Sequence, residues 1–286
     1  MSIDELCDAI ADASKVMDGD DLNGAVKLLV EDLRDALLDT DQLFVLRSKY
    51  TNSPYITERL SAMVFEDEYY ANKFADERKE LGLIVDAIKN EAYENFFSVL
   101  HDCGVNHIDL CGEGNNYIRM LVDELFLSDD YNKKNYSAID LNRFSTMLMQ
   151  EVRNTERVYD RKDNIVTLLK KNVIATLMGC AVWVPVAMMS VDGKDAMKVL
   201  TAPVNVSQAT FPVYTNLREA FAMRNHSESI KLTLMKAPSV IRFVSETMKQ
   251  NKSIVGLTIN PLTTNFTMTG EVLDICLENF RENHIE

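Results

Sequence analysis

Ile3, Leu6, Cys7, Ile10 and Ala13 fall three or four residues apart, which predicts a helix over 3–16. Ser2 and Glu5 stand at capping-box spacing at its start. Val26, Leu29, Val30, Leu33 and Leu37 predict a second helix over 22–38, with a turn at DGDDLNG, 18–24, between the two. Strands follow over 43–46 and 63–65. A helix over 66–79 opens with acidic residues that suit the positive end of its dipole. The apolar-rich run 81–88 fits a strand or a helix. Tyr93, Phe96, Phe97 and Leu100 mark one face of a helix over 91–103, and 105–110 is a strand. A Gly/Asn-rich turn then leads into 117–126.

The second half repeats this order. Helices are predicted over 139–158 and 163–178, a strand over 181–189, a turn at 192–194 and a returning segment at 198–200. A strand at 210–214 enters a helix at 217–223, which Thr215 or Asn216 caps. A strand at 230–235 leads to a helix at 238–250 with Pro238 near its first position. A strand at 254–259 and a helix at 271–279 close the series. Two segments make the repetition explicit: VNHIDLCGEGNNYI at 105–118 and IVGLTINPLTTNFT at 254–267. An offset of 149 sets Ile108 on Leu257, Leu110 on Ile259, Asn116 on Asn265 and Tyr117 on Phe266. It also sets Val64 on Val213, Phe65 on Tyr214 and Ala71 on Ala220. A unit repeated near half the chain length predicts two similar domains, 1–127 and 128–286. The expected class is α/β or α+β: two similar mixed-sheet domains, each preceded by a helical segment, 3–38 and 139–178.

The second domain carries a further pattern: VWVPV, then FPVYTNLREAFAM, then APSVIRFVSETMKQNKSIVGLTINPLTTNFTMTGE. Val184-Pro185, Pro212-Val213-Tyr214, Phe221 and the strand Gly256-Leu257-Thr258-Ile259-Asn260-Pro261 resemble the N-terminal domain of the SseB family, the enhanced serine sensitivity proteins. The resemblance spans about residues 165–275. It implies a compact α/β or α+β domain and carries over no catalytic residue or cofactor. The first domain departs from the pattern: Leu46-Arg47 stands for the Val-Pro pair, Met63 for Pro212, and Cys111-Gly112 for Asn260-Pro261. It reads as a diverged SseB-like domain. Asn260-Pro261 itself reads as a strand stop, because proline removes a donor and Asn tolerates turn conformations.

Charge separates the two halves. Residues 1–127 hold 27 acidic and 11 basic side chains, a net charge of −16, while residues 128–286 hold 17 and 19, a net charge of +2. The first domain repels nucleic acid and anionic membranes, so neither is an expected partner. An acidic surface for a basic protein partner is the sharper expectation. The longest apolar-rich stretch, 173–189, is interrupted by Gly179 and Pro185 and is read as a helix end plus a buried strand, short of a membrane span. The acidic N-terminal stretch lacks the basic and apolar regions of a signal peptide. Five irregularly spaced cysteines (Cys7, Cys103, Cys111, Cys180 and Cys276) point to a reducing cytoplasm rather than a disulfide framework.

His101, Cys103, His107 and Cys111 form a weak metal-like cluster of the kind zinc uses. On a strand, however, His107 and Cys111 lie roughly 13 Å apart, too far for one ion without a bend. The acidic turn 18–24 places Leu22 where a calcium loop needs a ligand. Gly112-Glu113-Gly114 lacks the third glycine of a dinucleotide fingerprint, and no Walker A, G-x-S-x-G or H-E-x-x-H motif occurs. Arg143, Arg153, Arg157, Arg161, Lys162, Lys170 and Lys171 are interleaved with acids and read as a solvated helix face. No catalytic, cofactor or metal residue is therefore expected. The chain reads as a non-enzymatic protein-interaction module whose interaction residues are Asp32, Asp35, Asp39, Asp41, Glu113 and Asn116, with self-association a further expectation. One alternative is a small-ligand sensor or enzyme with a site at the domain interface. Another is a phage or toxin-neutralising accessory protein that covers a basic target with its acidic domain.

Overall fold

A computed structural model describes residues 3–16, 20–111, 117–125, 136–153, 160–191, 194–224 and 230–282. Its architecture is mixed α/β. The chain divides into two compact units, Met1–Lys49 with Ser53–Tyr131, and Tyr50–Asn52 with Asn132–Glu286. No helix among the described residues is long and apolar enough to cross a membrane.

The first unit opens with two helices, α1 (Ile3–Val16) and α2 (Asp20–Asp39). Residues 20–24 of the expected turn lie inside α2. A five-stranded sheet follows, in the order β3-β1-β2-β4-β5. Its strands are β1 (Gln42–Ser48), β2 (Ser61–Phe65), β3 (Leu83–Lys89), β4 (His107–Cys111) and β5 (Tyr117–Leu121). The ambiguous run 81–88 is largely strand β3, whose seven residues all pair with β1. Helices α3 (Glu68–Asp76), α4 (Tyr93–Asp102) and the short α5 (Val122–Leu125) complete the unit. Side chains alternate between the two faces of a strand. Leu46, Phe65 and Cys111 thus share the face on which α3 packs through Ala71 and Phe74. Val45, Val64, Ile108 and Leu110 point the other way and are also buried. Each fully buried aliphatic side chain contributes about 1.5–3 kcal/mol.

The second unit contains α6 (Ile139–Arg153), α7 (Asp160–Gly179), β6 (Ala181–Val191), β7 (Lys194–Val199), β8 (Ala202–Pro203), β9 (Ala209–Val213) and α8 (Leu217–Arg224). It continues with β10 (Ile230–Lys236), α9 (Ala237–Gln250), β11 (Ile254–Ile259), β12 (Phe266–Thr269) and α10 (Gly270–Glu282). Two sheets, β10-β6-β7 and β12-β11-β9-β8, meet at the Trp183–Tyr214 bridge. Both backbone hydrogen bonds of that bridge are 2.9 Å. One apolar core joins Leu141, Leu148, Val173 and Leu177 of the leading helices to Val184, Val213, Leu257 and Ile259 of the sheets and to Ile241 and Leu273.

At several positions the strand pairings of the two units correspond. Phe44↔Phe65 has its counterpart in Trp183↔Tyr214, and Val64↔Leu110 in Val213↔Ile259. The helix after the second strand is Asx-capped in both: Tyr69 N donates to Asp67 Oδ1 at 2.7 Å and Glu219 N to Asn216 Oδ1 at 2.9 Å. Two positions need correction. Ile108 pairs with Met120 and Leu257 with Met268, so the counterpart of Phe266 is Ile118, not Tyr117. The connection after β4 is one residue longer than the one after β11, which shifts the match. Pro185 corresponds to Leu46 and Val184 to Val45, because the β1–β3 and β6–β10 registers coincide at those positions.

Candidate functional site

α2 buries Leu33 and Leu37 completely. Asp32, Ala36 and Asp39 lie beside that stripe, four and three residues apart, so they share an adjoining face. Together with α1 they form a groove of about 530 Å³ lined by Ile3, Leu6, Asp32, Ala36, Asp39, Thr40 and Glu66. Ile3 and Leu6 are each 2% exposed, so the groove presents little apolar surface and its character is set by the acids. Glu66, the residue after β2, supplies a third carboxylate from the sheet side. Asp32 and Asp39 are exposed, and among the described residues neither has a cationic side chain within ion-pair distance. Seven helical residues separate them by about 10.5 Å, beyond the screening length at physiological salt. The two charges therefore coexist with little mutual repulsion.

The other expected interaction residues are placed elsewhere. Asp35 turns away from the groove and is held by Arg34, with Nη2 2.8 Å and Nε 3.1 Å from Oδ1. Asp41 precedes β1 and is exposed. Burial, and then the charge of Asp41, pushes the Tyr93 hydroxyl up to about 12. Glu113 and Asn116 lie outside the described residues. Glu66 was missed because its role depends on where β2 ends beside the helices, which local periodicity does not report.

The four metal-like residues are spread along α4 and β4. His101 is in α4, with Nδ1 4.0 Å from Asp123 Oδ1. Cys103 caps that helix and is buried. His107 and Cys111 occupy the two ends of β4. Among the described residues, no group of three or more His, Cys, Asp or Glu is placed to hold a metal ion. Burial first, then the charge of Asp109, pushes the Cys111 thiol up to about 12. A thiol so displaced has little thiolate near neutrality and is a poor nucleophile.

A polar ladder crosses the first sheet where no motif marks it. Asp109, in the middle of β4, is 6% exposed. Its Oδ1 accepts from Arg119 Nε at 2.8 Å, and its Oδ2 accepts from Arg119 Nη2 at 3.0 Å and from Ser61 Oγ at 2.5 Å. Thr57 Oγ1 is 2.7 Å from Ser61 Oγ. Asp109 raises the Arg119 pKa through this hydrogen-bonded pair. The corresponding positions of the second unit are Thr210, Thr258 and Thr267, joined by hydroxyl contacts of 2.7 and 2.9 Å. Both carboxylate oxygens are engaged, so the ladder fixes three strands rather than presenting a proton acceptor. Its signal in the sequence is an acid inside an apolar strand, HIDLC, facing an arginine in YIRML.

Asn260 plays the structural part expected of it. It is fully buried and has φ 44°, which ends β11 in a turn. Its Oδ1 accepts from Thr215 N at 3.0 Å, while its Nδ2 donates to Asn142 Oδ1 and Thr215 Oγ1, each at 2.9 Å. This ties α6 to the strand ends.

Neither a protein-family model, a curated protein nor a solved structure matches the chain.

Proposed function

We propose that the protein is a non-enzymatic, cytoplasmic protein-interaction module built from SseB-like units, and that its acidic first unit receives a basic segment of another protein. The observation that carries this reading is the groove between α1 and α2, lined by the carboxylates of Asp32, Asp39 and Glu66. A basic partner there gains charge pairing of the kind found at the polar parts of interfaces. The −16 charge of residues 1–127 steers a basic partner toward the same unit. The engagement of Asp109 and the raised Cys111 thiol support binding rather than turnover.

Affinity capture from native lysate at 50 and 500 mM salt tests this, with Asp32→Asn/Asp39→Asn as the comparison. Enrichment of a basic protein by the parent at 50 mM, lost at 500 mM and in the variant, is the expected result. A partner retained equally by the variant at both salts contradicts the reading.

A further inference from the structure

A second surface, independent of the acidic groove, lies along β5, the strand at one edge of the five-stranded sheet. Val122 N donates to Asn106 O at 3.0 Å, which makes these two a hydrogen-bonded pair continuing the β4–β5 ladder. Such pairs alternate with non-bonded ones along an antiparallel ladder. Ile118 and Met120 therefore turn their N–H and C=O groups toward β4, while Tyr117, Arg119 and Leu121 turn theirs to the open side. Among the described residues nothing pairs with that side. The side chains of the same three residues share a face with Asp109, and Tyr117 and Leu121 are 43% and 45% exposed. An open edge is ordinarily blunted by charge, proline or a bulge. β5 has neither proline nor bulge, and its one charged residue, Arg119, is paired with Asp109.

We infer that β5 takes an extended acidic segment of another protein as a sixth, antiparallel strand, with Asp or Glu opposite Arg119 and an apolar residue opposite each of Tyr117 and Leu121. The open backbone selects the extended form, because an added strand satisfies its donors and acceptors and a helix has none to spare. Directly opposite residues of an antiparallel pair lie on one face, so side chains two apart along the segment meet Tyr117, Arg119 and Leu121. Charge selects the centre. Asp109 engages Nε and one Nη2 donor of Arg119, which leaves three of the five guanidinium N–H groups. Arg59, which donates to the Tyr117 hydroxyl and lies 5.7 Å from its ring centre, adds a second cation. Asp123 and Glu124 follow the strand, so the acid belongs at the centre of the segment rather than at that end. A second copy of the chain fits less well: pairing that matches Tyr117 with Leu121 sets Arg119 against Arg119, and residues 1–127 carry a net charge of −16.

Three synthetic nine-residue peptides on a threonine background, each with valines two positions either side of the centre, are the probes. The first has glutamate at the centre, the second lysine, and the third an N-methylated glutamate that has no amide to donate to the Arg119 carbonyl. Fluorescence anisotropy at low salt reads binding to the full chain, and amide hydrogen exchange reads its place. The glutamate peptide is expected to bind most tightly, and the other two each about five-fold more weakly. It is expected to slow exchange at Tyr117, Arg119 and Leu121 and to change little at Ile118 and Met120, which are already bonded to β4. Asp32→Asn/Asp39→Asn is expected to bind it as the parent does, so failure here leaves the groove reading standing. Equal binding of the glutamate and lysine peptides, undiminished binding of the N-methylated one, or no new protection along 117–121 overturns the inference. So does protection of the same amides that rises with protein concentration alone, which assigns the edge to a second copy.

Discussion

The Ser61–Asp109–Arg119 ladder permits a transplant within one molecule, because the second unit holds Thr210, Thr258 and Thr267 at the corresponding positions. Arg119→Thr removes two charge-assisted hydrogen bonds and leaves the carboxylate, 6% exposed, with Ser61 as its neighbour. Breaking a fully buried pair costs about 3–5 kcal/mol. The Arg119 side chain is 33% exposed, so water reaches part of the site and the expected cost falls to about 2 kcal/mol. The triple variant Ser61→Thr/Asp109→Thr/Arg119→Thr leaves no charge behind, and each hydroxyl both donates and accepts. It is expected to lie within about 1 kcal/mol of the parent, since replacing a whole buried pair is close to neutral. Urea unfolding followed by circular dichroism, with hydrogen exchange of the 107–121 segment to assign the change to the first unit, measures both. A triple variant that is no more stable than Arg119→Thr would refute the reasoning, as would a single variant costing less than about 0.5 kcal/mol.

Further predictions concern the second unit and the thiols. Asn260→Ala loses three buried hydrogen bonds and strains a residue at φ 44°, for an expected cost of about 3 kcal/mol. Asn260→Gly recovers about 1 kcal/mol of that, as read by urea titration of Trp183 fluorescence. Gly256→Ala sets a Cβ 2.0 Å from the Met268 carbonyl oxygen and is expected to cost about 3 kcal/mol or more by the same titration. Gly179→Ala meets nothing within 4 Å at the end of α7 and is expected to stabilise by a few tenths of a kcal/mol, about half the gain of a mid-helix replacement. Burial pushes the Cys111 and Cys180 thiols from 9.0 to about 12, so their labelling by a disulfide reagent at pH 8 should be about a thousandfold slower in the native protein than in denaturant. Because the folded values are raised, this contribution to stability is complete below about pH 9 and lost as pH rises toward 12.

Much of the fold was legible in the sequence because its elements obey strong periodicities. The stripe Leu33–Leu37 marked the buried face of α2, and the apolar strands 181–189 and 254–259 lie between paired neighbours in their sheets. The short run 266–269 was harder: four residues give too little alternation, and β12 is defined by its pairing with β11. Residues 81–88 were ambiguous for a related reason, since β3 is an edge strand none of whose side chains is fully buried. Of the site, Asp32 and Asp39 were legible as unbalanced acids. Their difference from Asp35 was not, because it depends on which way Arg34 reaches. Glu66 and the Asp109 ladder are brought into place by strand register, a tertiary property that local composition does not carry.

The interaction groove makes the most direct claim, and amide chemical-shift mapping on the full chain tests it. Titration with a short lysine-rich peptide is predicted to perturb residues 32–40 and 66 together, with the perturbation suppressed in Asp32→Asn/Asp39→Asn. Shifts confined to other surfaces, or the same shifts in the double variant, would contradict the account.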